Sequence, residues 1–297
     1  MSETKSKLKG KKPEIKNTGH LKMLIFGPSG VGKSWFALDL PNAYYNDTEG
    51  GARLAHYQQK LAKSGGVYLG PEDGALSFDD LINQMKALAQ EDHGYKTLVI
   101  DSITKIYQTA IAETQAKLGD KDVYGASKKP ATAAMRQLMN WITRLDMNVV
   151  IIAHETVEWG INPKTQQREE IGKTADVFDK LIYDLDLTIQ IQKRGNTRVG
   201  IVRKSRLLGF PEGEVFDLDY PTFADRYGKD FIEAKPKSIT LAKPDQIAEI
   251  KRLLEVVKID EDTIGKWFTK AGASDWSDFN EETAASIITF LTNKTKV

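Results

Sequence analysis

Short apolar runs alternate with segments of helical periodicity along the first half of the chain. Runs of bulky apolar residues predict buried strands over residues 21–26, 95–101 and 148–153, and a further strand is predicted over 42–47. Between them, apolar residues recur every three or four positions, which predicts helices over residues 33–40, 54–64, 78–90, 103–118 and 131–145. Strands that alternate with helices are typical of an α/β domain with a mostly parallel sheet.

The pattern becomes more polar in the second half of the chain. Residues 156–174 predict a long loop, and a short helix is expected over 176–183. Two further strands are predicted over 185–192 and 197–202. Gly195-Asn196 lies between them and favours a hairpin turn.

The chain divides into three predicted units. A lysine-rich segment over residues 1–19 reads as a flexible basic tail, and residues 20–237 form the α/β core, which closes with the proline-containing, loop-rich stretch 209–237. Residues 238–297 show three short amphipathic patterns and predict a small helical bundle. Because residues 245–297 carry ten acidic against seven basic side chains, this module is better suited to docking a protein than to binding DNA.

The composition narrows the function classes. A formal net charge of +1 over 297 residues means that any nucleic-acid site requires a local gathering of basic residues. The chain has no cysteine, which removes disulfides, thiol nucleophiles and cysteine-based zinc sites and fits a cytoplasmic location. No run of roughly 18 apolar residues occurs, and no apolar segment follows the lysine-rich start, so neither a membrane span nor a secretory signal is expected.

The segment GPSGVGKS carries the strongest chemical signal in the chain. It matches the phosphate-binding pattern G-x-x-x-x-G-K-[ST], and it lies between a predicted strand and a predicted helix, as that pattern requires. Main-chain N–H groups and the helix dipole would face phosphate oxygens, while Lys33 would reach the β- and γ-phosphates and Ser34 would bind Mg²⁺. The predicted nucleotide-binding residues are Gly27, Pro28, Ser29, Gly30, Val31, Gly32, Lys33, Ser34 and Trp35.

Polar side chains also follow the other predicted strands. Asp101 ends an apolar run and is predicted to hold the Mg²⁺. Glu49 follows the second strand and is the candidate to activate water against the γ-phosphate, with Asp47 as a weaker candidate. His154 follows the next buried strand and is predicted to sense the γ-phosphate. Carboxyl ends of parallel strands meet at one edge, so these side chains are expected to lie together.

A run of basic residues marks the predicted hairpin. Six occur without an intervening acid, and they are Lys193, Arg194, Arg198, Arg203, Lys204 and Arg206. They are interpreted either as an arginine finger donated to a neighbouring subunit, or as a phosphate-backbone contact, or as a solvated hairpin.

Taken in order, GPSGVGKS, DTEGG, TLVIDS, IIAHE and the hairpin KRGNTR resemble the RecA/RadA-type ATPase core. More narrowly, the chain resembles phage-encoded RecA-like proteins grouped with the AAA P-loop families, including single-strand annealing proteins of the "Sak-four" type. The resemblance covers about residues 20–210 and implies ATP and Mg²⁺ as cofactors. It also implies that Glu49 is the catalytic carboxylate, that His154 is the sensor, and that loops 119–130 and 156–174 lie where that family binds DNA.

Three hypotheses follow from these features. The first is an Mg²⁺-dependent ATPase that binds single-stranded DNA and assists phage-type recombination by annealing, or replication, as a homo-oligomeric ring or filament. The second is a nucleotide-gated adaptor such as a helicase loader, whose helical module binds a protein partner. The third is a small-molecule kinase, which requires an arginine-bearing lid, and the stretch 156–174 offers only Arg168.

Overall fold

A computed structural model describes residues 19–122, 125–178 and 180–295. The predicted basic tail therefore lies outside the described residues, apart from its last residue. The strands are β1 (Lys22–Phe26), β2 (Ala43–Asp47), β3 (Val67–Leu69), β4 (Thr97–Asp101), β5 (Asn148–Ala153), β6 (Glu155–Ile161), β7 (Arg168–Ala175), β8 (Leu187–Arg194), β9 (Thr197–Ser205) and β10 (Val215–Asp217). The helices of the core are α1 (Lys33–Ala37), α2 (Ala55–Lys63), α3 (Phe78–Gln90), α4 (Ile103–Leu118), α5 (Lys128–Arg144), α6 (Leu181–Asp184), α7 (Tyr220–Tyr227) and α8 (Lys229–Ile232). The C-terminal helices are α9 (Pro244–Val256), α10 (Glu261–Ala271) and α11 (Glu281–Lys294).

Eight strands form one twisted sheet in the order β10-β9-β8-β1-β5-β4-β2-β3. Six neighbouring strands of the sheet run parallel, namely β8, β1, β5, β4, β2 and β3. Strands β9 and β10 add antiparallel pairs beyond β8. Parallel strands place their carboxyl ends on the same side, so β1, β2, β4 and β5 all end at one edge of the sheet. This mostly parallel sheet, with its flanking helices and separate C-terminal helices, confirms the predicted fold class.

Both faces of the sheet are covered, because successive side chains of each buried strand point to opposite sides. On one face Met23 and Ile25 pack in a cluster with side chains of α1, α2, α7 and α8. On the other face Leu24 and Phe26 pack with side chains of α3, α4 and α5. Burial on both sides explains why these strands read as continuous apolar runs.

The predicted loop over 156–174 is instead an antiparallel hairpin, formed by β6 and β7. Most of its side chains are exposed on both faces, so it lacks the apolar alternation that identifies a half-buried strand. The turn is stabilised by Asn162, whose Oδ1 accepts the main-chain N–H of Lys164 at 2.8 Å. The hairpin starts directly after β5 and therefore lies at the same edge as the polar strand ends.

Four other segments differ from the predictions. Helix α5 starts at Lys128 rather than 131, because Pro130 in the first turn loses no helical hydrogen bond. Helix α1 keeps regular hydrogen bonding only to Ala37, and tighter bonds continue the turn, such as Leu40 N–H to Ala37 O at 3.2 Å. The helix predicted over 176–183 shrinks to α6 at Leu181–Asp184. The stretch 209–237, predicted as loop-rich, contains β10, α7 and α8.

The C-terminal helices enclose an apolar cluster of their own, as the predicted bundle requires. The turn between α10 and α11 contacts the core through Asp278, which is buried. The Lys86 Nζ of α3 lies 2.8 Å from Asp278 Oδ1, and Arg144 of α5 donates to the Asp278 carbonyl at 2.7 Å. The division at 237/238 stays a prediction. None of the helices described here is long and apolar enough to cross a membrane.

Candidate nucleotide-binding site

The phosphate-binding loop connects β1 to α1 and is closed by its own lysine. Gly30 and Gly32 adopt positive φ angles of 70° and 99°, a conformation that glycine reaches without steric cost. Lys33 folds back over the loop, and its Nζ donates to the carbonyls of Gly27 at 2.8 Å and Pro28 at 3.0 Å. A bound phosphate would offer this ammonium group a charged acceptor in place of two neutral ones.

The charge state of Lys33 depends on opposing influences. Burial lowers its pKa, while the nearby carboxylates of Asp101, Glu49 and Glu155 act to raise it. These acids come from β4, from the segment after β2 and from β6 respectively. The predicted convergence of polar side chains at this edge therefore includes one acid, Glu155, that was not among the sequence candidates.

Asp101 connects side chains of α1 and β2 beside the loop. Its Oδ2 accepts hydrogen bonds from Ser34 Oγ and from Tyr45 OH, each at 2.6 Å. Burial raises the pKa of Asp101, and these two hydrogen bonds oppose the shift. Tyr45 lies in the middle of β2 and was not predicted, because a tyrosine in a buried strand carries no signal of which acid it will meet.

The residues present fit a hard divalent cation. Ser34 and Asp101 offer hydroxyl and carboxylate oxygens side by side, and oxygen is the ligand type that Mg²⁺ prefers. Among the residues that the structure describes, no group of three or more His, Cys, Asp or Glu side chains could hold a metal by itself. A cation held by Ser34 and Asp101 would therefore need further oxygens from water and phosphate, as Mg²⁺ at nucleotide sites does.

Glu49 meets two side chains from neighbouring strand ends. Ser102 Oγ donates to Glu49 Oε1 at 2.6 Å, and His154 Nε2 lies 2.7 Å from the same oxygen. The side chains of Glu49 and His154 are 40% and 43% exposed, so a ligand or water can reach them. Ser102 also caps α4, because its Oγ accepts the N–H of Lys105 at 3.3 Å.

Asp47 has a different environment from Glu49. It is 1% exposed, and its two carboxylate oxygens accept the main-chain N–H groups of Glu49, Gly50 and Ala52 at 3.1, 2.8 and 2.8 Å. Tyr68 OH donates to the same carboxylate at 3.1 Å. With its acceptor positions used by the loop, Asp47 shapes the backbone that carries Glu49 and is poorly placed to accept a proton from water.

Three of the six predicted basic residues form hydrogen bonds within the chain. Arg203 donates to the side chain of Gln190, and Lys204 Nζ donates to the carbonyls of Ile182 and Leu185. Arg206 donates to the carbonyl of Tyr183 at 2.6 Å. These three residues could act as an arginine finger or contact DNA only after these internal hydrogen bonds break.

The other three basic residues lie near the edge of the sheet at which β1 ends. Lys193 and Arg194 are exposed at the end of β8, which continues past the end of β1. Arg198 of β9 lies against Gly32, so closely that a Cβ on Gly32 would overlap its guanidinium group. Its Nε is buried and has no hydrogen-bond partner in the described part of the chain. Arg198 therefore approaches the loop of its own chain.

Gln190 and Glu155 form a polar contact beside the loop that was not predicted from the sequence. Gln190 of β8 pairs with Phe26 at the end of β1, and its Nε2 donates to Glu155 Oε2 at 2.7 Å. Gln190 is 2% exposed. A polar residue inside the buried run of β8 is the signal that could have indicated it. The contact joins the segment after His154 to the β8–β9 hairpin.

A cavity of about 490 Å³ borders the phosphate-binding loop. It is lined by Pro28, Ser29, Gly30, Val31, Glu155, Lys173, Gln190, Gln192 and Lys193. Trp35 lies elsewhere, since its ring packs edge-on against Tyr57 of α2 at 5.5 Å. Trp35 lies in α1 with its ring turned towards α2, and its part in nucleotide binding stays a prediction.

Residues 20–217 match the family described as the AAA domain, which covers more than half of the chain. The chain therefore belongs to the AAA domain family, whose members are P-loop ATPases. No curated protein sequence matches it.

Two solved structures are similar at low identity. The RadB recombinase matches with a TM-score of 0.41 and 19% identity, covering 67% of this chain and 87% of that chain. An ATPase from the type III secretion system of pathogenic bacteria matches with a TM-score of 0.36 and 16% identity, covering 92% of this chain and 81% of that one.

Proposed function

We propose that this chain hydrolyses ATP with Mg²⁺ and binds single-stranded DNA, as part of phage-type recombination by annealing, or of replication. One observation carries the ATPase part of the proposal. The phosphate-binding loop, Asp101, Glu49 and His154 come from four strand ends at one edge of the sheet, where Ser34 contacts Asp101 and His154 contacts Glu49. The AAA domain family supports the same reaction class.

The proposed chemistry assigns one task to each side chain. Lys33 moves from the carbonyls of the loop to the β- and γ-phosphates and neutralises their charge. Ser34 and Asp101 would hold Mg²⁺, which supplies charge neutralisation at the phosphates when bound. Glu49 accepts a proton from water as the water attacks the γ-phosphorus. His154 is in contact with Glu49, so it can respond to the loss of the γ-phosphate.

Two hairpins beside the pocket support the DNA part of the proposal. On β6–β7, the Arg168 guanidinium stacks 5.1 Å from the ring of Trp159, which is 52% exposed. An exposed indole with an arginine is suited to stacking a nucleic-acid base. Residues 155–175 carry four acids against three bases, so backbone phosphates would be held instead by Lys193 and Arg194 of the neighbouring hairpin.

The same two hairpins also line the cavity beside the phosphate-binding loop. Lys173 of β7 and Lys193 of β8 line the cavity together with loop residues 28–31. DNA bound along the hairpins would therefore contact the segments that face ATP. This proximity supports stimulation of ATP hydrolysis by DNA, and assembly of subunits into a ring or filament along the strand.

The decisive experiment measures the ATPase rate with and without single-stranded DNA. We expect stimulation, and we expect DNA affinity to fall as salt rises, because several Lys and Arg side chains would displace counterions. Trp159→Ala should weaken DNA binding by about tenfold or more and leave the basal rate unchanged, since base stacking contributes about 1–3 kcal/mol. Ile171→Ala alters an exposed apolar residue of the same hairpin and is the matched control.

A nucleotide-gated adaptor, such as a helicase loader, is the second candidate function. The observation that favours it is a groove of about 400 Å³ between α10 and α11, which is lined by Trp267, Ile287 and Phe290 among others. An apolar groove of this kind is suited to binding a protein partner. ATP binding without DNA affinity at low salt would favour the adaptor over the first proposal.

A further inference from the structure

Two donors converge on one oxygen of Glu49. Ser102 Oγ donates at 2.6 Å and His154 Nε2 lies at 2.7 Å, both towards Oε1. Within the described residues, the other carboxylate oxygen, Oε2, accepts no hydrogen bond. The carboxylate is therefore held at one oxygen and open at the other.

The hydroxyl of Ser102 has only one proton, and its surroundings determine where that proton points. Its oxygen already accepts the main-chain N–H of Lys105 at 3.3 Å, at the start of α4. A hydroxyl that accepts from one side is free to donate its proton on another. His154 Nε2 lies 3.4 Å from the hydroxyl oxygen, whereas the charged acceptor Glu49 Oε1 lies at 2.6 Å, and a charge-assisted bond of this kind is short and strong.

The position of Ser102 is fixed by the strand ends. Ser102 is 1% exposed, and its N–H donates to Thr48 Oγ1 at 2.7 Å, while Thr48 Oγ1 donates to the Ser102 carbonyl at 3.2 Å. Thr48 N–H also donates to the Asp101 carbonyl at 2.6 Å. The ends of β2 and β4 are joined in this way one residue before Glu49. A rigid support of this kind is what a precisely oriented side chain requires.

We propose that Ser102 is a positioning residue for water activation, which holds Glu49 at Oε1 so that Oε2 faces the attacking water. This inference rests on the proposed function, in which Glu49 is the base. An unrestrained glutamate samples many rotamers, and an acid that is misplaced by even about 1 Å loses much of its catalytic effect. Ser102 thus links the end of β4 to the reacting carboxylate of Glu49, in the segment after β2, without touching the substrate.

The test is a double-mutant cycle between Ser102→Ala and Glu49→Gln, measured as kcat and KM for ATP. Loss of a hydrogen bond to a charged group should lower kcat of Ser102→Ala by about 10- to 100-fold, while the affinity for a fluorescent ATP analogue changes by less than about twofold. Because Ser102 acts through Glu49, adding Ser102→Ala to Glu49→Gln should not slow the residual rate further. Ser102→Thr retains the hydroxyl and should keep most of the wild-type rate.

Controls separate this role from helix capping. Ser77→Ala removes the cap of α3, whose Oγ accepts the Asp80 N–H at 3.4 Å, and it should leave kcat unchanged. If Ser102→Ala does not fold, Ser102→Cys decides the question, since a thiol of similar volume is a weak donor.

Each outcome has a distinct meaning. A full kcat in the folded Ser102 variant, an equal loss in the wild-type and Glu49→Gln backgrounds, or a loss confined to ATP affinity would overturn the inference. Failure of the proposed function is recognised separately, because the wild-type chain would then bind no ATP analogue or show no hydrolysis.

Discussion

The carboxylate of Asp47 accepts a 3.1 Å hydrogen bond from the main-chain N–H of Glu49. The two acids lie at the end of the same strand and have opposite surroundings. Asp47 is buried and its oxygens are used by the backbone of the following loop, whereas the Glu49 side chain is 40% exposed beside His154. One acid therefore shapes the loop and the other is accessible for chemistry.

Glu49→Gln should reduce kcat for ATP hydrolysis by about 10²- to 10⁴-fold, because only the proton acceptor is lost. ATP affinity should stay close to that of the wild type, since the amide has the same shape as the carboxylic acid. Steady-state kinetics together with binding of a fluorescent ATP analogue measure both quantities. An unchanged kcat would mean that another group activates the water.

Asp47→Asn serves as the comparison for Glu49→Gln, because it should lower the stability of the fold rather than kcat. An amide can offer one acceptor oxygen to loop N–H groups that now use two, so at least one buried donor loses its partner. The free energy of unfolding should fall by about 1–3 kcal/mol, which denaturant unfolding detects. A variant of wild-type stability with a strongly reduced kcat would instead favour Asp47 as the base.

Lys33→Ala should abolish ATP binding. Its ammonium group is held over the loop by the carbonyls of Gly27 and Pro28, at the position where phosphate is expected. Isothermal titration with an ATP analogue measures the loss, and Lys251→Ala, an exposed change on α9, is the control. Tight nucleotide binding by Lys33→Ala would contradict the assignment of the loop.

Arg198 should act on the nucleotide of its own subunit. Its guanidinium group covers Gly32 and its Nε has no partner among the described residues, so a bound phosphate would supply one. Arg198→Ala should weaken ATP binding by about tenfold, the effect of one charge-assisted hydrogen bond. Arg194→Ala, at the exposed end of β8, should leave ATP affinity unchanged.

A mixing experiment distinguishes this arrangement from a finger donated to a neighbour. Arg198→Ala subunits keep an intact Lys33, and Lys33→Ala subunits keep an intact Arg198. If Arg198 acts within its own subunit, a mixture of the two variants at limiting ATP shows no more ATPase activity than the two variants measured separately. Recovery on mixing would show instead that Arg198 reaches the site of an adjacent subunit.

Lys22 should make stability depend on pH. Its Nζ donates to the carbonyls of Ile142, Leu145 and Met147 at 3.2, 2.7 and 2.9 Å, and burial lowers its pKa from 10.5 to about 7. Between these two values the unfolded chain binds more protons than the folded chain, so the free energy of unfolding rises with pH over this window. Denaturant unfolding at pH 7 and pH 9 measures the slope.

Lys22→Met should flatten that slope, because it removes the group that titrates. At pH 9 it should also destabilise the chain by about 1–3 kcal/mol, since it leaves the buried carbonyls without their donor. Lys251→Met is the exposed control. A slope that persists in Lys22→Met would assign the pH dependence to other groups.

Local patterns in the sequence determined much of the fold. The glycine-rich loop, the apolar strands and the start of α4 after Ser102 are specified by neighbouring residues, and these predictions were confirmed. The β6–β7 hairpin was missed because both of its faces are exposed, which removes the apolar period that identifies a strand. The proline-containing segment after 209 was underestimated because its short elements are stabilised by packing against the sheet.

The roles of individual site residues were decided by the tertiary structure. Ser102 and His154 contact Glu49 across 53 and 105 residues of sequence, through parallel pairing of strands whose register no local pattern encodes. The same sheet brings Tyr45 to Asp101 and places Arg198 against Gly32. Thus the sequence alone determined where the candidate phosphate-binding loop lies, directly after β1, since that loop is one continuous segment of backbone. Only the folded sheet decided which acid, hydroxyl and arginine face it, because those side chains meet solely where distant strands end together.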